Sequence, residues 1–496
     1  MANTYTKIGI IQTASQPGDF PNNLRAVING YRECLEHDAQ LVIASAASVC
    51  GLEPGALARR HSFTEQAEDC LQKITRELGE VPLLLAAYTR CIPDEAMYTG
   101  LPCSEFDETV SAWQEKDYIV QMVPYLLERD GVTELETNQA IDIDGQTFYL
   151  DLGEEEILPA GACDFIIRMP STPWHTTQAR EDAELRSWEA SMSDATVICC
   201  RPIGTAEGNI YGGGSTVHSP EGKELLRLPF FEPAAMVVDL NRPKPVLALP
   251  DPAEILCSAM ERGIRDMVRN NCFSGVCVPL DSPNSAVLGV LCVEALGAAN
   301  VTGITFKGNG ELAENLGITC YQPDSEKLVS CASELLGAEQ QAALVERVET
   351  AIAMSYAESR GLLLCSALNR REIMLGEFAS YGRSGGYLAP LGNLYDVDIF
   401  LMSERLSEKY AQVFGALTPP AAGNTDRIIH ELADLNRPAG YLLNPETNYM
   451  FKENDVRHTQ RRIVASAMKR SQLPIILQAG PKDQQHHFPI CHRLND

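Results

Sequence analysis

The run from Gly361 to Phe400 constrains the fold more than any other stretch of the chain. It opens on Leu362-Leu363-Leu364, whose length and composition suit a buried parallel strand. Asn369-Arg370-Arg371-Glu372 then forms a polar turn that opens a short amphipathic segment. Tyr381-Gly382 and Gly385-Gly386 follow, where glycine lets the backbone turn sharply or approach a ligand. Pro390 to Phe400 reads as a second turn leading into an element with Leu391, Leu394, Tyr395 and Ile399 at helical spacing.

The N-terminal half carries the same grammar. Lys7 to Gln12 is β-rich, a helical segment places Leu24, Val27, Ile28, Tyr31, Cys34 and Leu35 on one face, and Leu41-Val42-Ile43 is another strand. Further strands are expected at Leu83 to Ala87, Thr147 to Leu150, Phe165 to Arg168, Thr196 to Cys199 and Ser215 to Val217. The order of strands and helices predicts an α/β layered chain. Prolines at 233, 243, 245, 250 and 252 mark a connector, so the boundary falls near residue 245, dividing the chain into 1–245 and 246–496. A helix from about Ala253 to Asn270, with Ile255, Leu256, Met260, Ile264, Met267 and Val268 buried, opens the second part.

A formal charge of −27 argues against nucleic-acid or anionic-membrane partners, since both require a dense basic face. No apolar run reaches the length of a membrane span. The 16 cysteines are scattered, without zinc-knuckle spacing or a signal peptide, which suggests buried thiols in a reducing, cytoplasmic setting. His486-His487 in the tail is too closely spaced to chelate one ion easily.

The motifs Ser366-Ala367-Leu368-Asn369-Arg370-Arg371-Glu372, Tyr381-Gly382-Arg383 and Ala389-Pro390-Leu391-Gly392-Asn393-Leu394-Tyr395-Asp396 resemble, without a gap, the synthetase domain of glutamine-dependent NAD synthetases. There the frame reads GTGNKSE, a tyrosine-glycine-aspartate turn, and NPIGDLYKTQV. The resemblance implies an ATP-pyrophosphatase domain of the adenine-nucleotide α-hydrolase, Rossmann-like type, with a parallel sheet. Three departures bear on function. Ala367 takes the place of the threonine that contacts ATP phosphate, Arg383 that of the aspartate holding the dinucleotide, and Asp396 that of the lysine reaching phosphate. Upstream, Leu280-Asp281-Ser282-Pro283-Asn284-Ser285-Ala286 stands where the family has the pyrophosphate loop SGGIDSA. Both glycines are gone, Pro283 removes an amide donor, and Asp281 puts a carboxylate into an anion site. Ser285 keeps its place. Lys307-Gly308-Asn309-Gly310 leads almost directly into a helix from Glu311 to Gly317, so the family's long closing loop is deleted. Ser325 to Ala357 reads as mostly helix, while Met468 to Pro474 and Phe488-Pro489-Ile490 resemble the family's closing motifs.

The first half resembles the family's nitrilase-type glutaminase domain through Gly18-Asp19…Asn23 and Tyr211-Gly212-Gly213-Gly214-Ser215. This implies an α-β-β-α sandwich and a glutamate, lysine and cysteine that act as base, oxyanion partner and nucleophile. In this chain those positions fall on Ala46, Val120 and Gly153. Cys50 and Cys163 are the nearest alternative thiols, with no base at the expected place.

Two expectations follow. The first is a non-catalytic relative acting as a structural or regulatory subunit, in a homo- or hetero-oligomer, with an active NAD synthetase paralogue as one partner. Neither nucleic acid nor membrane is a partner in this reading, and no cofactor is expected. The second is a working enzyme that amidates deamido-NAD using ATP, magnesium and ammonia or glutamine, with Glu372 ligating the metal. A sensor binding one nucleotide is a third. The residues Ser285, Ala367, Asn369, Glu372, Arg383 and Asp396 mark the nucleotide positions, and Arg383 and Asp396 are candidates to pair with each other where ligand sits in the family.

Overall fold

The computed structural model describes residues 5–91, 119–153, 157–308, 310–336, 342–415, 424–447 and 449–480. The chain forms two compact units. One takes residues up to Leu249 except 174–177 and 207–210, which group with the other unit, from Pro250 onward.

The first unit has two six-stranded sheets. β1 (Lys7–Gln12), β2 (Leu41–Ala44), β3 (Leu83–Cys91), β4 (Ile119–Glu128) and β5 (Gly131–Glu134) run in order across one sheet. The other holds β6 (Ala140–Ile143), β7 (Gln146–Asp151), β8 (Phe165–Arg168) and β9 (Thr196–Cys199). A separate hairpin of β10 (Ile203–Ala206) and β11 (Asn209–Gly212) follows. β12 (Thr216–His218) and β13 (Glu224–Arg227) then complete the second sheet beyond β9, and β14 (Ala234–Asp239) returns to pair antiparallel with β1.

Alternation along these strands builds the layers, because successive side chains point to opposite faces. Ile8, Ile10, Leu41, Ile43 and Leu84 face Phe148, Leu150, Ile167, Ile198 and Val217 in a core between the sheets. Their neighbours Ile11, Val42 and Leu85 pack outward on α1 (Phe20–Glu36) and α2 (His61–Glu77), through Val27, Tyr31, Phe63 and Ile74. On the far side, Tyr149, Ile166 and Val197 meet Ala190 of α3 (Gln178–Ser193). This is the α-β-β-α sandwich that the resemblance implies.

The second unit is built on a parallel sheet. α4 (Pro252–Asn270), capped by Asp251 accepting from the Ala253 amide, leads to β15 (Gly275–Pro279), α5 (Ser285–Leu296), β16 (Val301–Ile304), α6 (Glu311–Leu316) and β17 (Thr319–Tyr321). The expected helical stretch 325–357 is two helices, α7 (Glu326–Leu336) and α8 (Ala342–Ser359), before β18 (Leu362–Leu364). β18 pairs parallel with β15, in the order β17-β16-β15-β18. α9 (Arg370–Leu375) and α10 (Asp396–Ser407) follow, separated by a short strand β19 (Leu388–Ala389). One expectation needs correcting here. Leu391 and Leu394 are buried in the turn before α10 rather than on the helix, because the Leu394 amide turns back to the Leu391 carbonyl at 2.9 Å and Tyr395 is the cap.

Among the described residues no helix is long and apolar enough to cross a membrane. Among the cysteines whose side chains are described, thirteen are unpaired thiols, and the ten buried ones fill core positions. His486-His487 and Phe488-Pro489-Ile490 lie outside the described residues.

Candidate functional site

In a parallel sheet, ligands sit beyond the carboxyl ends of the strands. In the second unit that edge is formed by the turn after β15, the turn after β16 and the segment after β18.

The turn after β15 uses its donors on itself. Ser285 is buried, and its hydroxyl donates to the Pro279 carbonyl at 2.6 Å while accepting the Ser282 amide at 3.0 Å. The Ser285 amide returns to the Ser282 carbonyl at 3.0 Å. Asp281 lines a cavity, but its carboxylate is held. One oxygen accepts from the Thr305 hydroxyl at 2.5 Å and the other from the Phe306 amide at 2.7 Å. The Gly308 amide donates to Thr305 at 2.8 Å, closing the short turn, while Asn309 lies outside the described residues.

After β18 the retained residues form a helix cap. Asn369 accepts the Glu372 amide at 2.9 Å, and Glu372 accepts the Asn369 amide at 3.1 Å, a reciprocal capping box for α9. The N-x-x-E spacing of Asn369 and Glu372 is the sequence signal for this, one that a reading centred on nucleotide chemistry passes over. The other carboxylate oxygen of Glu372 accepts from Arg383 Nη1 at 2.8 Å, and Asn284 donates to Glu372 at 3.3 Å and to the Ala367 carbonyl at 3.1 Å. Ala367 itself is buried. A magnesium ion at Glu372 would have to displace a guanidinium, so the residues do not fit that ion as they stand.

Arg383 and Asp396 do not pair with each other. Arg383 reaches Glu372, the Glu377 carbonyl and, at 3.7 Å, Glu346 of α8. Asp396 accepts from Arg371 at 2.5 Å and from the Asn369 amide group at 2.6 Å. The reason is local: each acquired charge lies beside an opposite charge nearer than the other. Burial, and then Asp396, push the neighbouring Asp426 carboxyl up to about 6.

The glycines of the Tyr381 to Gly386 turn serve close packing. A Cβ on Gly385 would lie 2.3 Å from Thr350 Cγ2 on α8. Gly386 has φ +128°, and a Cβ there would lie 2.8 Å from the Leu364 carbonyl oxygen. Lys469 donates to the Gly376 and Phe378 carbonyls at 2.8 and 2.7 Å, which ties the closing motif to the segment just after α9.

In the first unit, Ala46 is fully buried in the core between the sheets, just past β2. Val120 lies on β4 opposite Arg90 of β3, near the same sheet edge. Gly153 follows β7, with its amide donating to Asp151 at 2.7 Å, and an added Cβ there would meet open space. Glu154 and Glu155 lie outside the described residues. Beside Ala46, Ala47, Leu52, Ala206 and Tyr211 pack together with Tyr88 and Met122. Burial pushes the Cys50 thiol up to about 12 and the Cys163 thiol up to about 11.

Two arrangements here went unread in the sequence. Tyr211 donates to the Glu53 carboxylate. At the ends of β7 and β8, the cross-strand neighbours Asp151 and Arg168 pair, and Arg168 also holds Glu189 of α3, which accepts from Arg186 at 2.5 Å. The components are scattered over the sequence, and only strand pairing brings them together.

An α-β-β-α sandwich and a parallel-sheet unit with these turns define a two-part α/β protein. Residues 256–420 match the NAD synthase family. The chain is 30% identical over 165 residues to the NH(3)-dependent NAD(+) synthetase of Finegoldia magna, a match covering 30% of this chain and 68% of that protein. It is 24% identical over 468 residues to the glutamine-dependent NAD(+) synthetase of Thermotoga maritima, covering 79% of each. The crystal structure of a glutamine-dependent NAD(+) synthetase from Cytophaga hutchinsonii superposes with a TM-score of 0.80 at 13% identity, covering 99% of this chain and 98% of that one. The chain belongs to the NAD synthetase family.

Proposed function

We propose that this chain is a catalytically degenerate, cytoplasmic member of the glutamine-dependent NAD synthetase family that acts as a structural or regulatory subunit. The observation that carries the reading is the Arg383–Glu372 ion pair at 2.8 Å. The one retained acidic residue suited to magnesium is already neutralised by an internal cation and committed to capping α9. The loop after β15 supports the same reading, since amide and hydroxyl donors that an anion would need are bonded to one another. In the first unit, Ala46 supplies no base, and thiols held near 11 and 12 are almost wholly protonated at neutral pH, so they are poor nucleophiles. A core kept intact around altered sites fits selection for the fold and its surfaces, and a mixed assembly with an active NAD synthetase paralogue follows from that.

The deciding assay incubates the purified chain with ATP, magnesium, deamido-NAD and ammonia, then repeats it with glutamine. The expected result is no NAD above background. Sustained NAD formation that Glu372→Ala abolishes would establish the working-enzyme reading instead. Co-purification from the native host with the tagged chain tests the assembly; a chain recovered alone as a monomer counts against it.

A further inference from the structure

A cavity of about 360 Å³ lies in the second unit beyond β15 and β18, closed on one side by α8. Ile304, Phe306, Ala353 and Leu364 give it an apolar wall, and three carboxylates and two cations line it: Asp281, Glu346, Glu349, Lys307 and Arg383. Four of these charges are accounted for or exposed. Asp281 is held by Thr305 and the Phe306 amide, Glu346 accepts the Ala379 amide at 2.9 Å, and Arg383 is bound to Glu372. Lys307 is 67% exposed.

Glu349 differs. Its side chain is only 14% exposed, and its ion-pair partner Lys307 stands 3.9 Å away in water. A screened cation at that distance recovers little of what the carboxylate lost on burial. Burial raises the Glu349 carboxyl pKa, with Asp281 and Glu346 adding to the effect and Lys307 opposing it. A cation entering the cavity would meet this carboxylate out of water, where the attraction is stronger, while an anion would meet a lining with more negative charges than positive.

We propose that the cavity binds an organic monocation with an apolar body, a primary amine or amidine whose charged head pairs with Glu349 and whose body packs on Ile304, Phe306, Ala353 and Leu364. This rests on the reading that the unit does not handle polyphosphate, and it gives that subunit a ligand by which to be regulated. The position vacated by phosphate chemistry has become a receptor of opposite preference.

The test titrates the full chain with 2-phenylethylamine, its neutral isostere 2-phenylethanol, and ADP with magnesium, using calorimetry and ligand-observed NMR. The amine is expected to bind saturably. The alcohol, and the amine with Glu349→Gln, should bind about tenfold more weakly or worse, the scale of one charge-assisted hydrogen bond. Ala353→Leu, which extends a larger side chain into the cavity from α8, should abolish binding, with a modest fall in melting temperature because Ala353 also packs in the core. No saturable amine binding, equal binding of amine and alcohol, or an amine affinity indifferent to both substitutions each overturns the proposal. If the amine fails and no NAD is formed, the proposal alone falls. If ADP displaces the amine and NAD is formed, the subunit reading falls with it.

Discussion

Arg383 acts as an internal support. Its guanidinium ties the cap of α9 to α8 through Glu372 and Glu346. Arg383→Ala would leave Glu372 half-buried beside other acceptors with no cation. The side chain is 36% exposed, so water softens the loss, and the expected cost is about 1–2 kcal/mol, read as a lower urea midpoint. The substitution should not restore NAD formation, because the donors after β15 stay committed. His218 on β12 supplies a second residue-scale expectation. Burial, then Arg227 and Arg186, lower its pKa from 6.5 to about 4, while Asp182 opposes, and its Nδ1 has no hydrogen-bond partner. The imidazole thus stays neutral in the fold while it protonates in the unfolded chain. Stability is full above pH 6.5 and falls as pH drops toward 4, by up to about 3 kcal/mol at 1.36 kcal/mol per unit. Chemical denaturation at stepped pH should show this slope, and His218→Gln should flatten it.

At the scale of elements, the contact between α8 and the Tyr381 to Gly386 turn decides whether the cavity exists. Gly385→Ala places a methyl group 2.3 Å from Thr350 Cγ2, so helix or turn must move, at an expected cost of about 1–3 kcal/mol. Thr350→Ser removes the clashing methyl and should recover much of that loss in the double variant, whereas two additive losses would show that the clash is not the cause. The elements were largely legible in the sequence. Lys7–Gln12, Phe165–Arg168, Thr196–Cys199 and Leu362–Leu364 are strands where short β-rich apolar runs place them. α4 begins at Pro252, capped by Asp251, where the apolar periodicity begins. The turn before α10 departs from the sequence pattern, because Leu391, Leu394 and Tyr395 share helical spacing with Ile399 although tertiary burial, not helical register, holds the first two.

For the molecule as a whole, a net charge of −27 sets its long-range field. Neither duplex DNA nor vesicles rich in anionic lipid should bind the chain at near-physiological salt, as measured by co-sedimentation. A salt-dependent affinity for either would contradict this, since such affinity requires cations released against a basic face. The strength of the molecule lies instead in two separately built cores. The sandwich of the first unit is filled by alternating strands from both sheets, and the second unit is filled where α8 covers Cys277, Ile304 and Leu364.

The sequence by itself determined the α/β order and the family membership, because periodicity and local motifs are written in adjacent positions. The resemblance marks Ala46, Val120, Gly153, Asp281, Arg383 and Asp396 as candidate site positions. Tertiary structure alone decided what those residues do. Arg383 chose Glu372 and Glu346, Asp396 chose Arg371, and Arg168 joined Asp151 to Glu189, because folding brings together charges that are distant in the chain. Electrostatic partnership depends on separation and burial in space, and neither is encoded in neighbouring letters.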